Sequence, residues 1–373
     1  MVNRKSLWIS LCLFNLCIVA FFGLALRSKI LFPLPFINYR DVLSAHSHFA
    51  FAGWAGLSLI TLLIYDLLPE ASSQKKIYQW ILIVIEVSSL GMALSFPFYG
   101  YNAVSIIFST LYIIATLVFA PVFIKDVINS LNHRTVKLLS IAAVSSLIIS
   151  FLGTLGLAYI LMARSHNSLL YRDSIYTFLH FQYNGFFTLS VFALFFASVL
   201  KKNASLNRNA ILFSVFLCFS IVPSLALSLL WHNNTFLYVF AAIGCICVLI
   251  SLAFFFSYLR QINQSKLFSS FIAETLWRLS VFSFSLKMLL NVGTIFPKLG
   301  NAVYGDRPVI IGFLHLVFLG FLTFYLLATF IQSGYFTSHN KVITYPFIVF
   351  SFGILINEFL LMLQGLSILL ETN

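Results

Sequence analysis

Eleven apolar runs of 20 residues or more, separated by short polar turns, leave this chain few folds to choose from. An α-helix needs about 20 apolar residues to cross a bilayer, and each crossing segment must satisfy its own backbone there. The runs lie near 7–26, 43–67, 77–97, 103–125, 137–162, 174–200, 210–230, 235–258, 272–296, 308–331 and 342–368. They stop at residues that end helices: Asp66 and Pro69 after the second, Phe96-Pro97-Phe98-Tyr99-Gly100 after the third, Lys201-Lys202 after the sixth, Pro297 after the ninth. Pro308 falls in the first turn of the tenth, where a missing N–H costs little. Only 9% of the residues are charged, against about 25% in soluble domains. The chain reads as a single all-α polytopic membrane domain over 1–373, and the run behind Met1–Lys5 reads as its first span, being long enough to cross and lacking a small-x-small cleavage pattern.

A net charge of +12 would suggest nucleic acid in a soluble protein. Here it sits in the turns and reports orientation. Thirteen Lys and Arg, from Arg4 and Lys5 through Lys75, Lys201 and Lys266 to Lys341, fall on the side of the N-terminus, and seven fall opposite. The positive-inside rule then places the N-terminus in the cytoplasm of a cell membrane. Cys12, Cys17, Cys218, Cys245 and Cys247 all lie inside apolar runs, so they define no disulfide framework.

Within the second run stands Ser44-Ala45-His46-Ser47-His48-Phe49-Ala50-Phe51-Ala52-Gly53-Trp54. Weaker copies, His180-Phe181-Gln182-Tyr183-Asn184-Gly185-Phe186 and His315-Leu316-Val317-Phe318-Leu319-Gly320-Phe321, follow at intervals of about 130 residues. The shared pattern is His, an aromatic three residues on, Gly five on and an aromatic six on. Thr188 and Thr323 extend it, where the first copy has Gly56. The interval is four helices, so the three histidines lie on parallel helices at one depth. The chain then divides into three arcs, near 1–130, 131–265 and 266–373, the last one helix short.

Ionisable groups inside spans face cavities or the bundle interior, and imidazole is the commonest metal ligand. At about 100° per residue, Phe51, Tyr183 and Phe318 would share a face with their histidines and flank a flat ring, while Gly53, Gly185 and Gly320 would point away and permit close packing. His46 and His48 diverge by about 200° and do not share a metal. Glu86, Lys287, Asn357 and Glu358 also fall inside runs, as proton-relay or quinol-contacting groups or, for Lys287 and Glu358, as a packing ion pair. Gln182 and Asn184 flank His180 as its hydrogen-bonding partners or as interhelical contacts. His133, His166 and His339 read as solvated loop residues, and His232 lies just past the seventh run.

On these histidines, the chain resembles subunit I of the haem–copper oxidase superfamily, which includes terminal oxidases and nitric-oxide reductases. The resemblance implies helices in three arcs, with His46 or His48 and His315 as axial ligands of a low-spin haem, His180 as a ligand of the active-site metal (copper), and His46 as an alternative ligand of a second haem in place of Phe313. It further implies electron transfer or chemistry on nitric oxide or oxygen, with Tyr183, Glu86, Lys287 and Glu358 as candidate catalytic groups. Its partners would be a quinol or cytochrome donor and further subunits, within lipid and without nucleic acid. The chain departs from the family in three places: Phe313 stands at the high-spin haem position, Tyr183 lies three residues after His180 rather than four, and residues 210–230 carry no histidine pair. It is also similar to membrane haem and copper binders linked to nitric-oxide resistance, whose ligands are fewer. The alternative readings are a non-catalytic haem or copper binder and a transporter without cofactor.

Overall fold

The structure is a computed structural model, and it describes residues 4–202, 205–262, 267–268, 270–336 and 341–370. Lys266 and His339 lie outside the described residues. Every regular element among the described residues is helical. The spans are α1 (Arg4–Leu31), α2 (Tyr39–Leu67), α3 (Lys76–Tyr99), α4 (Ala103–Ser130), α5 (Arg134–Met162), α6 (Ser168–Lys201), α7 (Arg208–His232), α8 (Thr235–Gln261), α9 (Phe271–Gly293), α10 (Arg307–Gln332) and α11 (Lys341–Leu369). Ten of these are long and apolar enough to cross a membrane, and α9 makes an eleventh when taken with the short helix that follows it.

That ninth segment differs from its expected course. The apolar run was expected to continue to residue 296. Instead α9 stops at Gly293, and the chain turns by 118° into a helix starting at Pro297. Proline has no N–H to give and its ring crowds the carbonyl four residues back, which here belongs to Gly293. Thr294 adds a local competitor, its hydroxyl donating to the Asn291 carbonyl at 2.6 Å.

Polar residues cap six of the spans, and the capped α2 and α6 begin well before their apolar runs, at Tyr39 and Ser168. Asn38, Asn102, Asn167, Asn207, Asn234 and Ser270 accept from backbone N–H groups at the starts of α2, α4, α6, α7, α8 and α9. Each cap satisfies an N–H that the helix leaves open.

The helices form two compact units, Met1–Ile148 and Ile149–Asn373. In the first, α2 is the most buried span and packs on α1 and α3, and α3 lies along α4. Lys5 pairs with Asp66 between the start of α1 and the end of α2, and Lys75 and Tyr78 both bond Asp126 of α4. In the second unit α6 is the most buried span, α7 lies along α8, and α9 along α10. Phe192, Phe213, Phe255, Phe284 and Phe321 form its aromatic centre, with Phe192 edge-on to Phe284 at 4.8 Å. The surface of α11 is mostly exposed, with Phe352, Leu355 and Phe359 turned outward.

Candidate functional site

All three motif histidines stand at the same kind of helical junction. A π-helical segment begins within two residues of each: Ala50–Gly56 after His48, Phe181–Phe187 after His180 and Leu316–Thr323 after His315. Such segments are rare and cluster at functional sites. Widening from i→i+4 to i→i+5 bonding leaves carbonyls without their usual donors, and a hydrocarbon surrounding makes each such orphan expensive. In every copy a polar side chain from another helix donates to a carbonyl of the π segment. Asn15 of α1 donates to the Gly53 carbonyl at 2.8 Å. Ser280 of α9 donates to the Phe321 carbonyl at 2.7 Å. In the middle copy, Lys287 of α9 donates to the Tyr183 carbonyl at 3.2 Å, and Thr188 donates to the same oxygen at 2.5 Å.

The motif's small and hydroxyl positions follow from this winding. A Cβ on Gly53 would lie 2.6 Å from the Phe49 ring, and one on Gly320 would lie 2.7 Å from the Ser283 hydroxyl. Both glycines therefore serve close packing. Thr188 holds the widened turn, and Lys287 donates to its hydroxyl at 2.8 Å. The first copy has Gly56 there because Tyr112 of α4 reaches in from outside: a Cβ on Gly56 would lie 2.7 Å from the Tyr112 hydroxyl and 2.8 Å from the Phe51 carbonyl. The α-helical wheel that put Phe51, Tyr183 and Phe318 beside their histidines does not apply, since the chain after each histidine is wound as π-helix. Tyr183 packs edge-on to Phe313 at 5.7 Å, and Phe318 on Phe187 at 5.4 Å.

The histidine rings fall into two classes. His48 and His315 each direct Nδ1 to the carbonyl four residues back, Ser44 at 2.9 Å and Ile311 at 2.8 Å. A carbonyl only accepts, so Nδ1 carries the proton and Nε2 the lone pair in the neutral ring. The His48 ring is flanked by Phe96, centroids 4.6 Å apart, and by the edge of Tyr101 at 5.7 Å. The Tyr101 hydroxyl stands 3.4 Å from Nε2, beyond a good hydrogen bond. His46 turns the opposite way, its Nδ1 donating to the Val19 carbonyl at 3.0 Å beside Gly23 of α1.

His180 is held differently. It is fully buried, and its Nε2 donates to the Ile221 carbonyl at 2.8 Å while its Nδ1 accepts from the Asn184 amide at 3.2 Å. The Ile221 oxygen needs this donor because α7 tightens to a 3-10 helix after Ser224, and the Leu225 N–H bonds Val222 and Pro223 instead. A metal at His180 would have to displace one of these two protein partners. His232 belongs to the end of α7 rather than lying past it, and it shares Asp173 with the Trp231 indole.

The remaining candidates take separate places. Glu86 is buried and accepts from Asn15 at 2.8 Å, in the same amide that holds Gly53. Lys287 is fully buried and held by Tyr183 and Thr188 rather than by Glu358, which accepts from Asn357 at 3.3 Å. Gln182 donates to Ser150 of α5 at 3.0 Å, an interhelical contact. Among the described residues no three His, Cys, Asp or Glu side chains come together as a metal site. No family model matches this chain, and no curated protein matches it significantly.

Proposed function

We propose that this chain is a membrane haem protein of three helical arcs, the last one helix short, with a cytoplasmic N-terminus and with His48 and His315 as the residues that would hold low-spin haem. The observation that carries this reading is the shared setting of those two rings. Each sits just ahead of a π segment, and each has Nδ1 fixed by the carbonyl four residues back. Fixing Nδ1–H sets the tautomer, aims Nε2 and raises its basicity, which is what a ligating imidazole requires. The donor set thus fits haem iron. Bound there, a bis-histidine haem supplies one-electron transfer. Around it Phe96 and Tyr101 shield the His48 ring, and Asn15 and Ser280 hold the two π segments to which the ligands are anchored.

Purified protein from haem-replete cells is expected to show low-spin haem bands, and His48→Ala and His315→Ala are each expected to lose them, whereas His46→Ala keeps them. A colourless wild-type protein would overturn the reading and favour a transporter without cofactor. Between gas chemistry and plain haem binding, the observations favour the second. His180 spends both ring nitrogens on protein groups, α7 brings only His232, and that ring is bonded to Asp173. Measuring oxygen and nitric-oxide consumption with a reduced quinol separates the two, and turnover of either gas would restore the reductase reading.

A further inference from the structure

On one face of the second unit, the ends of four spans gather cations. Lys201 and Lys202 close α6, Arg208 opens α7, Arg260 falls in the last turn of α8, and Arg278 lies two turns into α9. Glu274 is the acidic residue of the first turn of α9. Between α8 and α9 at this end lies a groove of about 280 Å³, lined by Phe256, Leu259, Arg260, Arg278 and Val281. Spacings of three and four residues put Phe256, Leu259 and Arg260 on one side of α8, and Arg278 and Val281 on one side of α9. The floor is therefore apolar and the two guanidiniums line the same groove. Phe256 remains 40% exposed, and the Arg278 side chain 68% exposed, although one of its N–H groups bonds Glu274. A guanidinium has five donors in a fork that matches phosphate oxygens.

We propose that this groove binds an anionic phospholipid, its headgroup phosphate on Arg260 and Arg278 and an acyl chain along Phe256 and Val281. Depth agrees with the assignment. Arg278 is seven residues from the start of α9, about 10 Å along the axis, and a long side chain from there reaches the headgroup layer. A soluble anion would meet the guanidiniums but has no use for the phenyl and valyl walls. A zwitterionic lipid offers the same phosphate but brings a choline cation towards two guanidiniums of which Glu274 balances one. Basic pockets between spans are the usual recognition site for anionic headgroups.

The test is native mass spectrometry of the full-length protein, titrated with phosphatidylglycerol or phosphatidylcholine at fixed ionic strength. Wild type is expected to retain phosphatidylglycerol preferentially, and Arg260→Gln with Arg278→Gln is expected to weaken that retention about thirtyfold. Arg278→Gln alone, at an exposed side chain, provides the intermediate effect if the double variant does not purify. Equal retention of the two lipids, or retention unchanged by Arg278→Gln, overturns the proposal. Complete displacement of the lipid by millimolar inorganic phosphate also overturns it, since the acyl chain would then contribute nothing.

Discussion

Gly56 shows how one position in a repeat is decided by a residue from elsewhere in the chain. Where the second copy of the motif places Thr188 against its own widened turn, the first copy leaves space that the Tyr112 hydroxyl enters. Gly56→Ala should lower stability by about 1–3 kcal/mol, the usual cost of overpacking. Tyr112→Phe in that background should return part of the loss, because it removes one of the two close oxygens and leaves the Phe51 carbonyl. A double-mutant cycle on detergent-unfolding midpoints measures the coupling. Strict additivity would show that Tyr112 does not occupy this space.

At the scale of elements, α6 and α7 are joined by a histidine that mends a broken helix. The α-to-3-10 change after Ser224 withdraws the Leu225 N–H from the Ile221 carbonyl, and His180 supplies a donor from the neighbouring span. His180→Ala leaves that carbonyl with the 3.3 Å contact of Ser224 and leaves the Asn184 amide without its ring acceptor. Orphaning a buried polar group costs about 1–3 kcal/mol, so the variant should be less stable by roughly that amount. It should nevertheless keep the low-spin haem bands. Loss of those bands in a folded variant, judged by helical circular dichroism, would mean that His180 takes part in haem binding. Side chains of α1 and α9 also reach across to neighbouring helices, where Asn15, Ser280 and Lys287 donate to carbonyls of the π segments.

For the whole molecule, the turns carry the information on orientation. Ser205 lies in the turn between α6 and α7, and Ser168 at the start of α6 on the opposite face. In right-side-out vesicles, Ser205→Cys should resist a membrane-impermeant thiol reagent until the vesicles are opened, and Ser168→Cys should react at once. The reverse pattern would turn the protein over. The native cysteines lie within spans, where a charged reagent does not reach them.

Hydropathy alone determined that this chain is a bundle of membrane helices, because the bilayer admits so few backbone solutions to an apolar run. The helix starts were less legible: the apolar runs open near 43 and 174, whereas Asn38 and Asn167 cap helices that begin at Tyr39 and Ser168, and hydropathy does not register a polar cap. The spacing of His48, His180 and His315 marked three related places, and each proved to open a π segment. The winding itself was not legible. A π turn differs from an α turn by one residue in its bonding, and what makes it affordable is a donor from a different helix. Nor did the motif reveal that His48 and His315 share one ring setting while His180 has another. That difference comes from the Ile221 carbonyl, freed 41 residues away by a break in α7. Local sequence specifies which bonds a segment will lack; only the packing of neighbouring helices decides which side chain supplies them.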